Sequence, residues 1–226
     1  MKLHQLILIG SGDFALEVSE YIVEKNKDVS KDNFIISDII SKSEARFYDI
    51  CSVLGYTPLH HGKHNTIKQK EKKNTLICLG SAEARYKYYK ELKKNKFSFS
   101  TFIHKTAWVA SSSKINEGVI VCPYVFVGAN SVIGPNTSLN VRATIGHDVK
   151  IGESVVISPH VNLNGNSQCG DVSFIGAGTI MDPESSIGNF TKVSSGSMVK
   201  GSFGNGFLLS GNPAKGRQMF KTEDKI

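Results

Sequence analysis

From Ile103 onward the chain repeats every six residues. Stepping by six visits Ile103, Val109, Ile115, Val121, Val127, Ile133, Leu139, Ile145, Ile151, Ile157, Leu163, Cys169, Ile175, Met181, Ile187, Val193 and Val199, seventeen aliphatic or sulfur-bearing positions with no slip in register. Four residues after each stands a small or β-branched one, from Ala107 and Ser113 through to Thr191 and Ser197. Glycine often follows the aliphatic directly, as at Gly128, Gly134, Gly146, Gly152, Gly170, Gly176 and Gly188. This spacing predicts a parallel β-helix with three hexads to a triangular coil. The aliphatic points inward, and the small residue fits where the narrow prism leaves little room. At a strand spacing of about 4.8 Å, about five coils make a prism roughly 24 Å tall. One coil cannot bury its own apolar side, so only the stack is stable.

The 226 residues leave room for a second, smaller domain before the repeat. Residues 1–100 hold 17 Lys and Arg against 12 Asp and Glu, whereas residues 101–200 hold six of each. Five of the 21 glycines precede residue 100. That shift predicts a boundary near 100, with domains over 1–100 and 101–226. The lysines of 63–73 and 87–96 read as a solvated loop and helix face. No aromatic platform or recognition motif accompanies them, so nucleic acid is not an expected partner. The run Leu6–Ile9 is too short to cross a bilayer and lacks signal-peptide flanks. No membrane insertion is expected, and a cytoplasmic location is. The four cysteines show no Cys-x-x-Cys spacing and sit in apolar or strand-like runs, which points to buried thiols.

Residues 5–9 read as a buried strand, Gly10-Ser11-Gly12 as a tight turn and 14–24 as a helix. A strand, a glycine turn and a helix N-terminus together favour an anion. Residues 33–38 read as a second strand ending in Asp38, an acceptor for a ribose or base or else a solvated strand end. Thr75–Leu79 and Ala82–Lys94 read as a third strand and a helix. A full dinucleotide fold needs more strands than this, so the half fold suggests half a dinucleotide, such as a nucleotide-sugar. His60, His61 and His64 read as part of a polar loop with no acid or cysteine to complete a metal site. No metal is expected. Gly201–Gly206 reads as a flexible excursion after the last coil.

Within the hexads, His147 and Asp148 fall between the inward Ile145 and Val149, at an outward corner. A carboxylate beside an imidazole orients it and supports its protonated form. Cys169 takes an inward slot and is a poor nucleophile. Cys122 stands next to an inward position, where it could be more accessible, with no base evident nearby. His160, at another corner, reads equally as a substrate contact or as corner filling.

With Ile9-Gly10-Ser11-Gly12, Leu79-Gly80-Ser81, Arg85, Phe102-Ile103-His104, Asn140, His147-Asp148 and Gly211-Asn212-Pro213-Ala214-Lys215 in view, residues 4–217 resemble a known family. It is the bacterial sugar O-acyltransferases of the sialic acid O-acetyltransferase type. That family includes the UDP-4-amino-sugar N-acetyltransferases of bacillosamine synthesis and the perosamine N-acetyltransferases. The resemblance implies a Rossmann-like half domain followed by a left-handed β-helix. It implies a homotrimer with acetyl-CoA bound between neighbouring β-helices and a nucleotide-sugar held partly by the N-terminal domain. His147 matches the general base and Asp148 the acid that orients it. Asn140 matches a position near the acceptor, and Gly165 a backbone amide meeting the thioester oxygen. Ala177, Ser195 and Gly196 match positions along the pantetheine path. Gly10, Ser11, Gly12 and Asp38 then fall to the nucleotide-sugar. Relatives acting on 4-amino sugars often carry a second histidine nine residues after the base, where this chain has Val156. Many relatives also carry an acid at the position of Gly146.

The expected reaction is direct acetyl transfer from acetyl-CoA to a nucleotide-linked, amino-bearing sugar. The alternatives are O-acetylation of a sialic acid or another sugar hydroxyl, and a non-catalytic trimeric scaffold. The outward His147–Asp148 pair counts against the scaffold.

Overall fold

The computed structural model describes residues 3–27, 33–63 and 74–220. The chain forms two compact units, Met1–Gly80 with Lys87–Phe102, and Ser81–Tyr86 with Ile103–Ile226.

The first unit is a parallel α/β layer. Its elements are β1 (Leu3–Ile9), α1 (Asp13–Asn26), β2 (Asn33–Ile40), α2 (Phe47–Leu54), β3 (Leu59–His61), β4 (Thr75–Ile77) and α3 (Ala82–Lys94), whose first turn belongs to the second unit. The strands lie in the order β3-β2-β1-β4, all parallel. The second half of β1, Leu6–Ile9, is an unbroken apolar run and wholly buried, because both its faces are covered. In α1, Ala15, Val18, Ser19 and Ile22 form the buried stripe, at the spacing that places them on one helical face. From Lys87 onward α3 lays Tyr89 and Leu92 onto Ile7, Ile9, Ile40 and Ile77.

The sequence pattern announces neither α2 nor β3. The histidines expected in a loop stand instead on β3, which extends the sheet beside β2. The lysines of 64–73 and His64 lie outside the described residues.

The second unit is a three-sided parallel β-helix. Two-residue strands recur every six residues from Phe102–Ile103 to Met198–Val199, and each up to Ile180–Met181 pairs with the strand three hexads on, one coil along. From Val121 to Val199 every sixth residue is buried, as the repeat predicts. The small inward residues also do polar work. The hydroxyl of Ser131 donates to the Gly146 carbonyl at 2.6 Å, and that of Thr137 to the Gly152 carbonyl at 2.9 Å. A short hydroxyl therefore satisfies a corner carbonyl that a valine would leave to other partners. The glycine after the aliphatic has a steric cause. A Cβ on Gly134 would collide with the Gly152 carbonyl of the next coil.

Each coil turns three corners, and most corners carry a residue at positive φ. Tyr124, Arg142 and His160 define one edge of the prism; Asn130, Asp148, Asn166 and Glu184 define a second; Asn136, Ser154, Val172 and Phe190 define the third. Because three hexads complete a coil, side chains at the same corner of successive coils stack along an edge.

One side of the prism is covered by residues 81–86. Ala82 and Tyr86 pack on Val156, Val172, Phe174 and Phe190. Arg85, wholly buried, donates from Nε to the Asn136 carbonyl at 2.8 Å, while the Asn136 amide donates back to the Arg85 carbonyl at 3.0 Å.

The flexible excursion expected at 201–206 is not there. Ser202 pairs with Ser186 and Phe203 with Ile187, less than three hexads back, so the last coil closes two residues short. Phe207–Gly211 then joins the covered side, and Ala214–Gln218 folds antiparallel onto it as a closing hairpin. The hairpin takes up the strand edge the helix would otherwise expose.

Candidate active site

His147 and Asp148 occupy the second edge of the prism. Thr144–Ile145 leads into that corner and Lys150–Ile151 leaves it. The Asp148 N–H donates to the Ala129 carbonyl at 2.8 Å, which seats the corner on the coil before it. His147 and Asp148 are 64% and 44% exposed, so neither serves the core. Nδ1 of His147 lies 2.8 Å from Oδ2 of Asp148. The hydrogen bond from His147 and a second from Asn130, helped by the histidine's charge, hold the Asp148 carboxyl below its ordinary range. An ionised carboxylate only accepts. Nδ1 therefore carries the proton, and the lone pair of the neutral ring sits on Nε2.

Nε2 faces Gly165, which holds the same corner position one coil below. Gly165 follows a backbone rule of the repeat. The second residue of each corner makes no ladder bond through its N–H, and proline stands at that position at 123, 135, 159 and 183. Pro183 lies directly beneath Gly165. Gly165 keeps the N–H that its neighbour lacks, and among the described residues no acceptor meets it. A free donor thus lies beside a free base. The register of the prolines is the sequence signal for this donor.

Asn140, Ala177, Ser195 and Gly196 lie on the first edge instead. The N–H groups of Ala177 and Ser195 hold the same corner position as Gly165, two and three coils below Val141, and also meet no acceptor among the described residues. The Asn140 Oδ1 faces the Cys122 thiol at 3.8 Å. Cys122 is fully buried, which corrects the expectation that it is more accessible than Cys169. Burial pushes the Cys169 thiol up to about 12, so it remains protonated. His160 stands on the first edge, directly below Arg142. Within one chain the candidate residues therefore split between two edges. A full side of the prism, one hexad or at most roughly 20 Å of chain, separates Val141 from His147.

In the first unit, Gly10 adopts φ +109, and a Cβ there would stand 2.9 Å from the Cys78 carbonyl oxygen. Its glycine is a requirement of the sheet. Gly12 caps α1 with ordinary φ and has no atom within 4 Å of a Cβ, so the space before the helix is open. Ser11 is buried, and its hydroxyl bonds Ser41 and the Ser43 carbonyl. Asp38 is likewise held. Its Oδ1 meets His61 Nε2 at 2.7 Å and its Oδ2 the Ser37 hydroxyl at 2.7 Å, beside a register shift between β1 and β2. Sequence reasoning misses these partners of Ser11 and Asp38. A cleft of about 390 Å³ opens beyond Ile40, lined by Lys42, Lys63, Lys87, Tyr88 and Glu91. Among the described residues no group of acids, histidines and cysteines could hold a metal ion, and no helix is long and apolar enough to cross a membrane.

Residues 130–165 match the family model for the bacterial transferase hexapeptide, six repeats. The whole chain is similar to perosamine N-acetyltransferase from Caulobacter crescentus. A histidine-to-asparagine form of that protein, solved with CoA and GDP-perosamine, shares 25% identity over 94% of this chain and 96% of its own, with a TM-score of 0.82. The acetyltransferase domain of PglB from Neisseria gonorrhoeae, in complex with acetyl coenzyme A, is 24% identical over 95% of this chain and 99% of its own, with a TM-score of 0.81. WeeI from Acinetobacter baumannii is 23% identical over 96% of this chain and 100% of its own, with a TM-score of 0.78. The last two likenesses speak to the fold. That fold is a Rossmann-like half domain followed by a left-handed hexapeptide β-helix.

Proposed function

We infer that this chain, which belongs with the hexapeptide-repeat sugar acyltransferases of the left-handed β-helix type, transfers the acetyl group of acetyl-CoA to an amino group on a nucleotide-linked sugar. One observation carries the reading. At a single solvent-facing corner, a carboxylate fixes the histidine tautomer and aims its free nitrogen at a glycine with an unpaired N–H.

His147 Nε2 takes a proton from the acceptor nitrogen as that nitrogen attacks the thioester carbonyl. The Gly165 N–H donates to the oxyanion that forms. Collapse breaks the C–S bond, and the proton held on His147 passes to the departing CoA sulfur. No covalent enzyme intermediate is needed, in keeping with a buried, protonated Cys169. A base so placed contributes about 10²–10⁴-fold.

The split between edges supports the homotrimer. The first edge of one copy, with Asn140 and the free N–H groups of Ala177 and Ser195, would face the second edge of its neighbour. The stacked N–H groups then suit the amide oxygens of a pantetheine arm. Gly10, Ser11, Gly12 and Asp38 shape the entrance to α1 for the nucleotide, with Gly12 the point of close approach and Ser11 and Asp38 bracing the turn. The cytoplasm is the compartment in which this reaction would run. The relative from Caulobacter crescentus, crystallised with CoA and GDP-perosamine, agrees with this pair of substrates.

Thiol release from acetyl-CoA, measured against nucleotide-sugars carrying a 4-amino or a 4-hydroxyl group, tests the reading. Release with an amino sugar alone is expected. Release with hydroxyl acceptors alone would overturn N-acetylation. Failure to bind CoA would leave the scaffold.

A further inference from the structure

Resting on the reading of His147 as the base, we propose that Asn130 is a positioning residue, whose side-chain amide holds the Asp148 carboxylate in the orientation that fixes His147. Asn130 and Asp148 are the same corner position on consecutive coils, with φ of 59° and 58°. Phe126 pairs with Thr144 and Val127 with Ile145, so the register between the two coils is locked. The Asp148 N–H bond to the Ala129 carbonyl locks it again from the corner side. Elsewhere this stacking brings side chains into contact. On the third edge the amide of Asn136 donates to the Ser154 hydroxyl, one coil on, at 2.8 Å. On the first edge the Arg142 guanidinium lies 5.9 Å from the Tyr124 ring, one coil back. Asn130 stands over Asp148 at the same spacing of one coil, and its side chain contributes to holding the Asp148 carboxyl below the ordinary range. Its own backbone is anchored by the Ser112 hydroxyl, which accepts from the Asn130 N–H at 3.2 Å.

The chemistry needs this second bond. Asp148 follows His147 directly in the chain, and its carboxylate is nearly half exposed. Water competes for such a group and lets it rotate away from Nδ1. An amide donor from the coil above restricts the carboxylate and leaves its other lone pairs for the imidazole. A line then runs down the second edge, from the Asn130 amide to Asp148, His147 and the face of Gly165.

Asparagine tolerates positive φ better than most residues, so Asn130 has a competing explanation as a corner former. Asn130→Gly separates the two, because glycine keeps the backbone and deletes the amide. The full-length protein is compared with Asn130→Gly, Asp148→Asn and the double variant. The tautomer of His147 is read by nitrogen NMR of histidine-labelled protein without substrate. Kinetics use acetyl-CoA with a nucleotide-linked 4-amino sugar. Expected are unchanged melting, a shift of His147 away from the Nδ1–H form, and kcat lower by roughly ten-fold with the KM for acetyl-CoA unchanged. In the Asp148→Asn background the same change should cost less than about two-fold. A tautomer unchanged in Asn130→Gly, or an equal loss in both backgrounds, would overturn the proposal. Should Asn130→Gly not fold, Asn130→Asp keeps a residue that accepts the corner and removes the donor; an unshifted tautomer there is equally fatal. Because the NMR arm needs no acceptor, an inactive sugar would count against the proposed reaction and leave this inference standing or falling on its own.

Discussion

The imidazole of His147 fills the space that a side chain on Gly165 would need: a Cβ there would lie 2.5 Å from Nε2 and 2.6 Å from Cε1. The conflict is with a ring on the surface and not with the core. Gly165→Ala should therefore leave the melting temperature within a few degrees while pushing the base aside. A turnover loss of at least about ten-fold is expected, since misplacement by an ångström from a reacting position is costly. Steady-state rates beside a melting curve decide it; near-normal turnover would show that Nε2 has no fixed place in the reaction.

Removing the base itself sets the scale. His147→Ala removes an exposed side chain and should retain the fold and the proposed trimer while turnover falls at least about 100-fold. Sedimentation and thiol-release assays on one preparation separate the two effects.

Asp148 carries a pH signature. Its carboxyl is held below the ordinary range by the bonds from His147 and Asn130. The pairing that fixes the histidine tautomer should therefore persist as pH falls through the ordinary carboxylate range and be lost only below it. Asp148→Asn should lower kcat/KM at every pH through loss of the tautomer, read from pH–rate profiles of the two proteins. An unchanged plateau in Asp148→Asn would mean that Asp148 does not orient His147.

Arg85 tests the architecture and not the chemistry. Its guanidinium is fully buried and serves both the carbonyl and the side-chain oxygen of Asn136. Arg85→Met fills similar volume but strands those acceptors. Each buried group left unsatisfied costs about 1–3 kcal/mol, so urea unfolding should show a loss of several kcal/mol. A neutral result would mean that water replaces the guanidinium.

The β-helix is legible because its period is strict. Counting alone places Ile133, Leu139 and Ile145 inward, and their burial follows. The same counting assigns residues to edges, since His147 and Gly165 stand three hexads apart while Asn140 and His147 stand little more than one. The last coil looks like a loop because Gly201, Gly204 and Gly206 break the pattern and Ser202–Phe203 arrives two residues early. In the first unit, β3 hides behind Leu59-His60-His61, three residues with no apolar alternation. The partners of Asp38 depend on a register shift at Ser37 and on a strand reached only after α2, which no local pattern records. Asn130 is hidden for a different reason, since asparagine at a corner is already explained by positive φ.

Gly12 is the last point where the two explanations of a glycine diverge. Gly10 is glycine because φ is +109 and Cys78 stands against it. Neither condition holds at Gly12, where φ is −92 and a Cβ meets nothing within 4 Å. A valine there fits the protein and fills only the space in front of α1, where N–H groups and the helix dipole favour an anion. Gly12→Val should thus keep the melting temperature and the affinity for CoA while weakening the nucleotide-sugar, by roughly ten-fold or more if a phosphate approaches that backbone. Calorimetric titration with each substrate in turn measures the split. Equal weakening of both would point to general damage, and unchanged nucleotide-sugar affinity would move the acceptor away from the glycine turn.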